Sequence, residues 1–278
     1  MEKNMNNPLL ERKLLPLFSQ IKPQHISPAI DLIIEENRKK IIFIENISEE
    51  LSWENFVEPL QQCDEKLSRA WSQVGHLNAV VNSQDLRDEY NKSLLKITNF
   101  YSEISQNEII YKKFKALKNS SIYKSFSDAK KKVIDDELLG FELGGVDLPT
   151  EKKKEFTIIK EELSSLTSKF EENLLDATNK FQLHITDPIK ISGLPDDIIS
   201  MVKNNAEQKK LDGWLFSLDF PCYIPTLQYA DDRELRKEMY HAYATKASEL
   251  GDPLLDNSQN INNILTLKSR LANMLNYS

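Results

Sequence analysis

Residues 150–181 read TEKKKEFTIIKEELSSLTSKFEENLLDATNKF. Phe156, Ile159, Leu163, Leu166, Phe170, Leu174, Ala177 and Phe181 follow one another at intervals of 3, 4, 3, 4, 4, 3 and 4. At about 3.6 residues per turn this places every one of them on a single face of one long α-helix. A coiled-coil partner would read the same stripe, but packing within the chain is the commoner use, and the helix is expected to be packed along its length.

Upstream of this stretch the same period recurs. Ser27-Pro28 places a capping hydroxyl before a proline at a first helical position, and Ile30, Ile33, Ile34, Ile41 and Ile44 continue the apolar face to about Glu45. Ser52 opens a segment carrying Phe56, Leu60, Cys63, Leu67, Ala70 and Val74, which Pro59 should kink or restart. Leu86, Tyr90, Leu94, Ile97, Tyr101 and Ile104 mark one face of a long helix, or of a closely joined pair, between Ser83 and Lys118. Ser127 begins another, through Val133, Ile134, Leu138 and Phe141, that Gly144-Gly145 should end.

Downstream the pattern changes. Phe181–Thr186, Trp214–Asp219 and Tyr223–Tyr229 are short aromatic and β-branched stretches broken by prolines at 188, 195, 221 and 225. They read as two or three edge strands around a helix at Asp196–Lys210. Asp231 with Glu234 predicts a capping-box start for a helix through Leu235, Met239, Ala242 and Tyr243. A last helix covers about Ser258–Leu275, with Ile261, Ile264, Leu265, Leu271, Met274 and Leu275 as its apolar residues.

Composition agrees with a mainly α chain. Only 7 of 278 residues are glycine, where average usage would supply roughly 19. Sandwiches, propellers and doubly wound nucleotide folds depend on positive-φ turns that glycine makes cheaply. The net charge of −7 disfavours a nucleic-acid partner, and the two basic runs, Lys130–Lys132 and Lys152–Lys154, have acids beside them and read as solvated helix faces. Cys63 and Cys222 lack metal or redox spacing and read as reduced core thiols. No apolar run reaches the ~18 residues of a membrane span, so a cytoplasmic location is expected.

Standard chemical motifs are missing. The four histidines, His25, His76, His184 and His241, form no HExxH pair, and the sequence holds no nucleophile elbow, phosphate loop or dinucleotide fingerprint. Ser121-Ile-Tyr-Lys124 and Ser127-Asp-Ala-Lys130 match SxxK, as a lysine-rich helical chain does by chance. The doublets Asp135-Asp136, Glu161-Glu162, Glu171-Glu172 and Asp196-Asp197 would point their carboxylates about 100° apart on a helix, which suits solvated faces better than paired acid and base. Catalytic, cofactor-binding and metal-ligating residues are therefore all expected to be none in this chain.

Three segments nonetheless carry a resemblance. Leu15-Pro-Leu-Phe-Ser-Gln-Ile-Lys-Pro-Gln-His25-Ile-Ser-Pro28-Ala-Ile forms the first. Trp53-Glu-Asn-Phe-Val-Glu-Pro59-Leu follows, with Gly75-His-Leu-Asn-Ala-Val-Val-Asn-Ser83 and Leu86-Arg87. The most specific is Gly213-Trp-Leu-Phe-Ser-Leu, Pro221-Cys-Tyr-Ile-Pro225 and Leu235-Arg-Lys-Glu-Met-Tyr-His-Ala-Tyr-Ala-Thr-Lys-Ala247, where the family usually carries Arg in place of Lys246. In this order they resemble the oligopeptidase A branch of the thimet oligopeptidase family of zinc metallopeptidases.

The resemblance implies an N-terminal multi-helix lobe over 1–186, then a small β element and the first helices of a zincin-like catalytic region over 187–278. It implies that the family's HExxH helix and its later glutamate ligand lie beyond the residues seen here. Zinc would then serve the full-length enzyme and be bound by no residue of this chain. The implied function is the N-terminal part of a cytosolic zinc metallo-oligopeptidase acting on short peptides. This part would be inactive alone, its lobe walling the substrate channel, and its partners would be short peptides and a C-terminal catalytic half. A non-enzymatic helical interaction module derived from the same family is the alternative. On either reading the last helix is expected to leave apolar surface uncovered.

Overall fold

The computed structural model describes residues 7–277, and nearly all of its regular structure is helical. Among these described residues ten α-helices and one two-stranded sheet follow in order: α1 (Pro23–Glu45), α2 (Glu58–Val80), α3 (Gln84–Ser105), α4 (Glu108–Lys118), α5 (Asp128–Leu143), α6 (Thr150–Lys180), β1 (Leu183–Ile185), α7 (Asp196–Gln208), β2 (Trp214–Phe216), α8 (Phe220–Tyr229), α9 (Arg233–Thr245) and α10 (Ser258–Met274). The mainly α expectation holds. Two compact units are distinguishable, one running to Ser165 and resuming at Leu267, the other Leu166–Thr266.

Local chemistry sets most of the helix ends in the first unit. Ser52 accepts the Asn55 N–H at the start of a π-helical turn, Trp53–Val57, and α2 restarts directly after it with Pro59 in its first turn. The missing N–H of proline costs nothing there. The 83–118 stretch is a pair of helices, because the side chain of Asn107 accepts from Ile109 and Ile110 and starts α4 afresh. Ser127 caps α5, whose far end closes with Val146 N–H on the Phe141 carbonyl and Gly145 N–H on that of Glu142. That double closure needs a left-handed residue, which Gly145 supplies at φ +81°.

One helix begins earlier than its sequence signal. α1 starts at Pro23, not at Ser27, and Pro28 lies inside it. The Ser27 hydroxyl, instead of capping, donates to Glu89 at 2.5 Å and faces Ser93 at 3.4 Å, both on α3. α1 packs on α2 and α3, and the core beneath holds Ile26, Ile30, Ile33, Phe56, Leu67, Phe114 and Leu117. Phe114 lies 4.7 Å from Phe56 and 5.8 Å from Phe141, ring centre to ring centre.

The 150–181 stripe is one helix, as its period predicts, but it is not buried along its length. Phe156 and Ile159 are fully buried, whereas Leu163, Leu166, Phe170 and Leu174 are half-buried. Within the second unit the deeply buried positions of α6 are polar, Ser168 and Asn173. Asn173 Nδ2 donates to Asn257 Oδ1 at 3.0 Å, Asn257 Nδ2 to the Phe170 carbonyl at 3.1 Å, and Asn260 Nδ2 to the Leu166 carbonyl at 3.0 Å. Side-chain amides bond to one another and to backbone carbonyls here where apolar contact was expected.

The rest of the second unit surrounds a small antiparallel ribbon in which Leu183, His184 and Ile185 face Phe216, Leu215 and Trp214. Gly213 at φ +85° leads into β2, and a Cβ there would meet the Ile185 carbonyl oxygen at 2.3 Å, so glycine is needed for the strands to approach. The third expected strand is a helix, α8. Its two prolines fall at a first turn and one turn later, and Cys222, Tyr223 and Thr226 turn inward with helical spacing. The aromatic composition imitates a strand, and burial of one helical face outweighs that propensity. α9 starts one residue after its sequence signal: Asp232 accepts the Leu235 N–H at 2.9 Å, while Asp231 donates its own N–H to the Ser192 carbonyl. On α10, Ile261 and Leu265 are 42% and 59% exposed, the other four expected apolar residues are half-buried, and Leu267 is the deeply buried one.

Candidate functional site

Several of the residues that sequence reasoning weighed for chemistry make local contacts. His25 accepts the Lys22 N–H on Nδ1 at 3.1 Å, closing the first turn of α1. His76 lies 5.0 Å from the Phe18 ring, His184 holds the Asp212 carbonyl, and His241 is exposed on α9. Cys63 and Cys222 are free and buried, and burial pushes both thiols up from their ordinary range. Such thiols are poor nucleophiles. In the SxxK segments, the Ser127 hydroxyl accepts the Lys130 N–H, and the Lys130 ammonium lies over the Trp53 ring at 4.6 Å and 3.6 Å from Glu54.

The charged runs pair with acids, mostly on exposed helix faces, although the Lys153 side chain is largely buried. Lys152, Lys153 and Lys154 pair with Glu155, Glu108 and Glu151 at 2.8, 2.7 and 3.1 Å, and Lys132 pairs with Asp136. Asp135 takes Lys118 at 2.7 Å, so this doublet points to two different lysines. Among the described residues no three His, Cys, Asp or Glu side chains come together to hold a metal ion. The residues present do not fit a zinc ion.

What the structure does assemble is a cleft of about 910 Å³, lined wholly by residues of the first unit. Its floor is apolar, formed by Leu60, Phe100, Ile104, Phe114 and Phe141. α5 presents Glu137, Gly140 and Phe141 to it, the i, i+3, i+4 spacing of a single helix face, and Gly144 follows at its C-cap. Ser68, Ser102 and Gly140 keep it open, and a Cβ on Gly140 would touch nothing within 4 Å.

Three helices bring polar groups to this space. Tyr101 of α3 donates its hydroxyl to Asp64 Oδ1 of α2 at 2.9 Å. Burial first, and the Asp64 charge second, push the Tyr101 phenol far above its ordinary range, so it stays a neutral donor. Glu137 of α5 has its proton affinity raised, chiefly by the surrounding protein and then by Asp64 and Asp136. The residue as a whole remains exposed, while its carboxylate sits against the concave wall of the cleft. Arg69 lies 3.4 Å from Glu65 through Nε and donates to the Glu11 carbonyl at 2.7 Å, which ties it down at the edge. Sequence reasoning missed this cleft, although a helix-interior glycine three residues from an acid and one before an aromatic was a signal in plain view.

In the second unit a smaller arrangement surrounds Lys246, the position where the resemblance noted a departure. Tyr223 and Tyr243 stack at 3.9 Å, and the Lys246 ammonium lies 3.8 Å from the centre of the Tyr243 ring. Burial lowers the Lys246 proton affinity, and Asp219 opposes that shift. The cation is thus held by a ring face and by the Thr178 hydroxyl at 3.5 Å.

Comparison with known proteins accounts for the helical unit. Residues 30–153 match the family model for the Neurolysin/Thimet oligopeptidase N-terminal domain. Oligopeptidase A of Haemophilus influenzae is 40% identical over 279 residues, covering 99% of this chain and 40% of that protein. The chain corresponds in sequence to the N-terminal portion of oligopeptidase A. Oligopeptidase A of Escherichia coli is 37% identical over 275 residues, with 98% of this chain and 40% of the relative covered. The probable cytosolic oligopeptidase A of Arabidopsis thaliana is 34% identical over 279 residues, covering 98% and 39%. The chain therefore spans about two fifths of the length of the curated relatives it matches, which makes it homologous to a peptidase over a stretch that includes the cleft. No helix among the described residues is long and apolar enough to cross a membrane.

Proposed function

We propose that this chain is the N-terminal part of a zinc metallo-oligopeptidase that hydrolyses peptide bonds in short peptides in the cytoplasm. On this reading residues 1–186 form a helical lobe that walls one side of the substrate channel, and residues 187–278 begin the catalytic region. The chain contributes no catalytic residue and no zinc ligand, its partners are short peptides and a C-terminal catalytic half, and it is inactive by itself.

The observation that carries the reading is the 40% identity to oligopeptidase A over 99% of the chain, combined with a sequence in which no HExxH occurs. A zinc peptidase needs three protein ligands around the metal and a base beside its bound water. This chain supplies no such set among its described residues.

The test is turnover of a quenched-fluorescent short peptide in the presence of zinc. The chain alone is expected to give none. Adding the C-terminal three fifths of the Haemophilus influenzae oligopeptidase A should give chelator-sensitive cleavage above that of the C-terminal piece alone. Chelator-sensitive cleavage by the 278-residue chain on its own would overturn the proposal. Tight association with no gain in turnover would favour the non-enzymatic interaction module.

A further inference from the structure

We propose that the cleft between α2, α3 and α5 binds a peptide segment that presents a lysyl side chain among apolar neighbours. The proposal goes beyond the peptidase reading, because it needs no peptide-bond chemistry and concerns the first unit alone.

The volume and the floor come first. About 910 Å³ of space over Leu60, Phe100, Ile104, Phe114 and Phe141 suits a few side chains of a peptide. Gly140 stands in the interior of α5, where glycine is less favourable than alanine. Neither a left-handed φ nor a close neighbour explains it, since its Cβ position faces open space. What the missing side chain does is leave the cleft unobstructed.

Charge selects the occupant. Asp64 and Glu137 come from different helices and have no ion pair within the described chain; the Tyr101 hydroxyl occupies one oxygen of Asp64. The charges that act on Glu137 are Asp64 and Asp136, both negative. Of the cations in the lining, Arg69 is tied to Glu65 and to the Glu11 carbonyl, and Lys160 is not among the charges acting on Glu137. An anion would be repelled from this corner, and a metal ion would lack a third ligand among the described residues. A lysyl side chain matches both parts, its four-carbon stem on the apolar floor and its ammonium between two carboxylates.

The experiment uses the full 278-residue chain and two probes, acetyl-Leu-Lys-Phe-amide and its norleucine analogue. Binding is followed by calorimetry and by amide chemical shifts. At pH 7 the lysyl peptide should bind about tenfold more tightly than the norleucyl peptide, with the largest shifts on α2, α3 and α5. The preference should vanish in Asp64→Asn/Glu137→Gln, and Gly140→Phe should abolish binding of both peptides. Should the double variant lose its fold, Glu137→Gln alone decides, since it removes the charge and keeps the size of the side chain. A preference that survives Glu137→Gln unchanged overturns the proposal. So do equal affinities for the two peptides, binding unaffected by Gly140→Phe, or no binding of either. Because binding is read on this chain alone, these outcomes are independent of the turnover test above.

Discussion

Replacing Asn257 with alanine tests whether the amide cluster in the second unit carries stability. Asn257 is 1% exposed and makes three side-chain hydrogen bonds: it accepts from Asn173 Nδ2 at 3.0 Å and Asn260 Nδ2 at 3.3 Å, and donates to the Phe170 carbonyl at 3.1 Å. In Asn257→Ala the Asn173 amide loses its acceptor while remaining buried, which costs about 1–3 kcal/mol. Asn260 Nδ2 keeps the Leu166 carbonyl, so the other two losses are ordinary hydrogen bonds of about 0.5–1 kcal/mol each. The sum is about 3 kcal/mol, or a fall in melting temperature of at least about 6 °C for a chain of this size. Gln259→Ala, exposed in the first turn of α10, should stay within about 0.5 kcal/mol of the parent. The decisive measurement is a double-mutant cycle by urea unfolding. Asn173→Ala/Asn257→Ala leaves no orphaned amide between the two positions, so its cost should fall short of the summed single costs by about 1 kcal/mol or more. Strict additivity, or an Asn257→Ala melting temperature within about 1 °C of the parent, would refute the reasoning.

Two further outcomes follow from local geometry. Asp232→Ala removes the side-chain acceptor for Leu235 N–H and should cost about 1 kcal/mol in urea unfolding, while Asp231→Ala should cost less than about 0.5 kcal/mol; the capping box read from sequence demands the reverse order. Glu89 has its carboxyl held below the ordinary range, first by the Ser27 hydroxyl and then by Lys92 and Lys96, against an opposing effect of burial. A carboxyl with a lowered folded-state pKa adds stability above its unfolded pKa and loses it as pH falls through the folded value. Ser27→Ala should therefore be less stable than the parent at pH 6, and the gap should narrow by pH 3. A gap that does not change with pH would show that the Ser27 to Glu89 bond contributes no pH linkage.

Much of the fold was legible along the chain because helix formation is governed by neighbours within a turn. Ser52, Ser83 and Ser127 each accept a backbone N–H at a helix start, and Pro59 restarts its helix in the way a residue without an N–H must. The failures have a common origin. Pro23 and Pro28 both offer a first-turn signal, and packing of the Ser27 hydroxyl against α3 decided between them. Phe220–Tyr229 has the composition of a strand, but three residues of one helical face are buried in the core and no strand partner is present for it among the described residues. The stripe on α6 predicted its helix correctly and its burial wrongly, since periodicity states which side chains share a face and not what covers them.

The candidate cleft shows the same division more sharply. Asp64, Tyr101 and Glu137 stand far apart in sequence, on three helices whose individual faces look solvated. Most helices of the first unit, the serine caps at Ser52, Ser83 and Ser127, the scarcity of glycine and the absence of an HExxH motif were legible in the sequence alone, because each depends on residue type and short spacing. Tertiary structure alone decided that a phenol and two carboxylates share one cleft, and that the Asn173, Asn257 and Asn260 amides meet out of water. Desolvation and pairing depend on which distant residues meet, and no period within one helix encodes that.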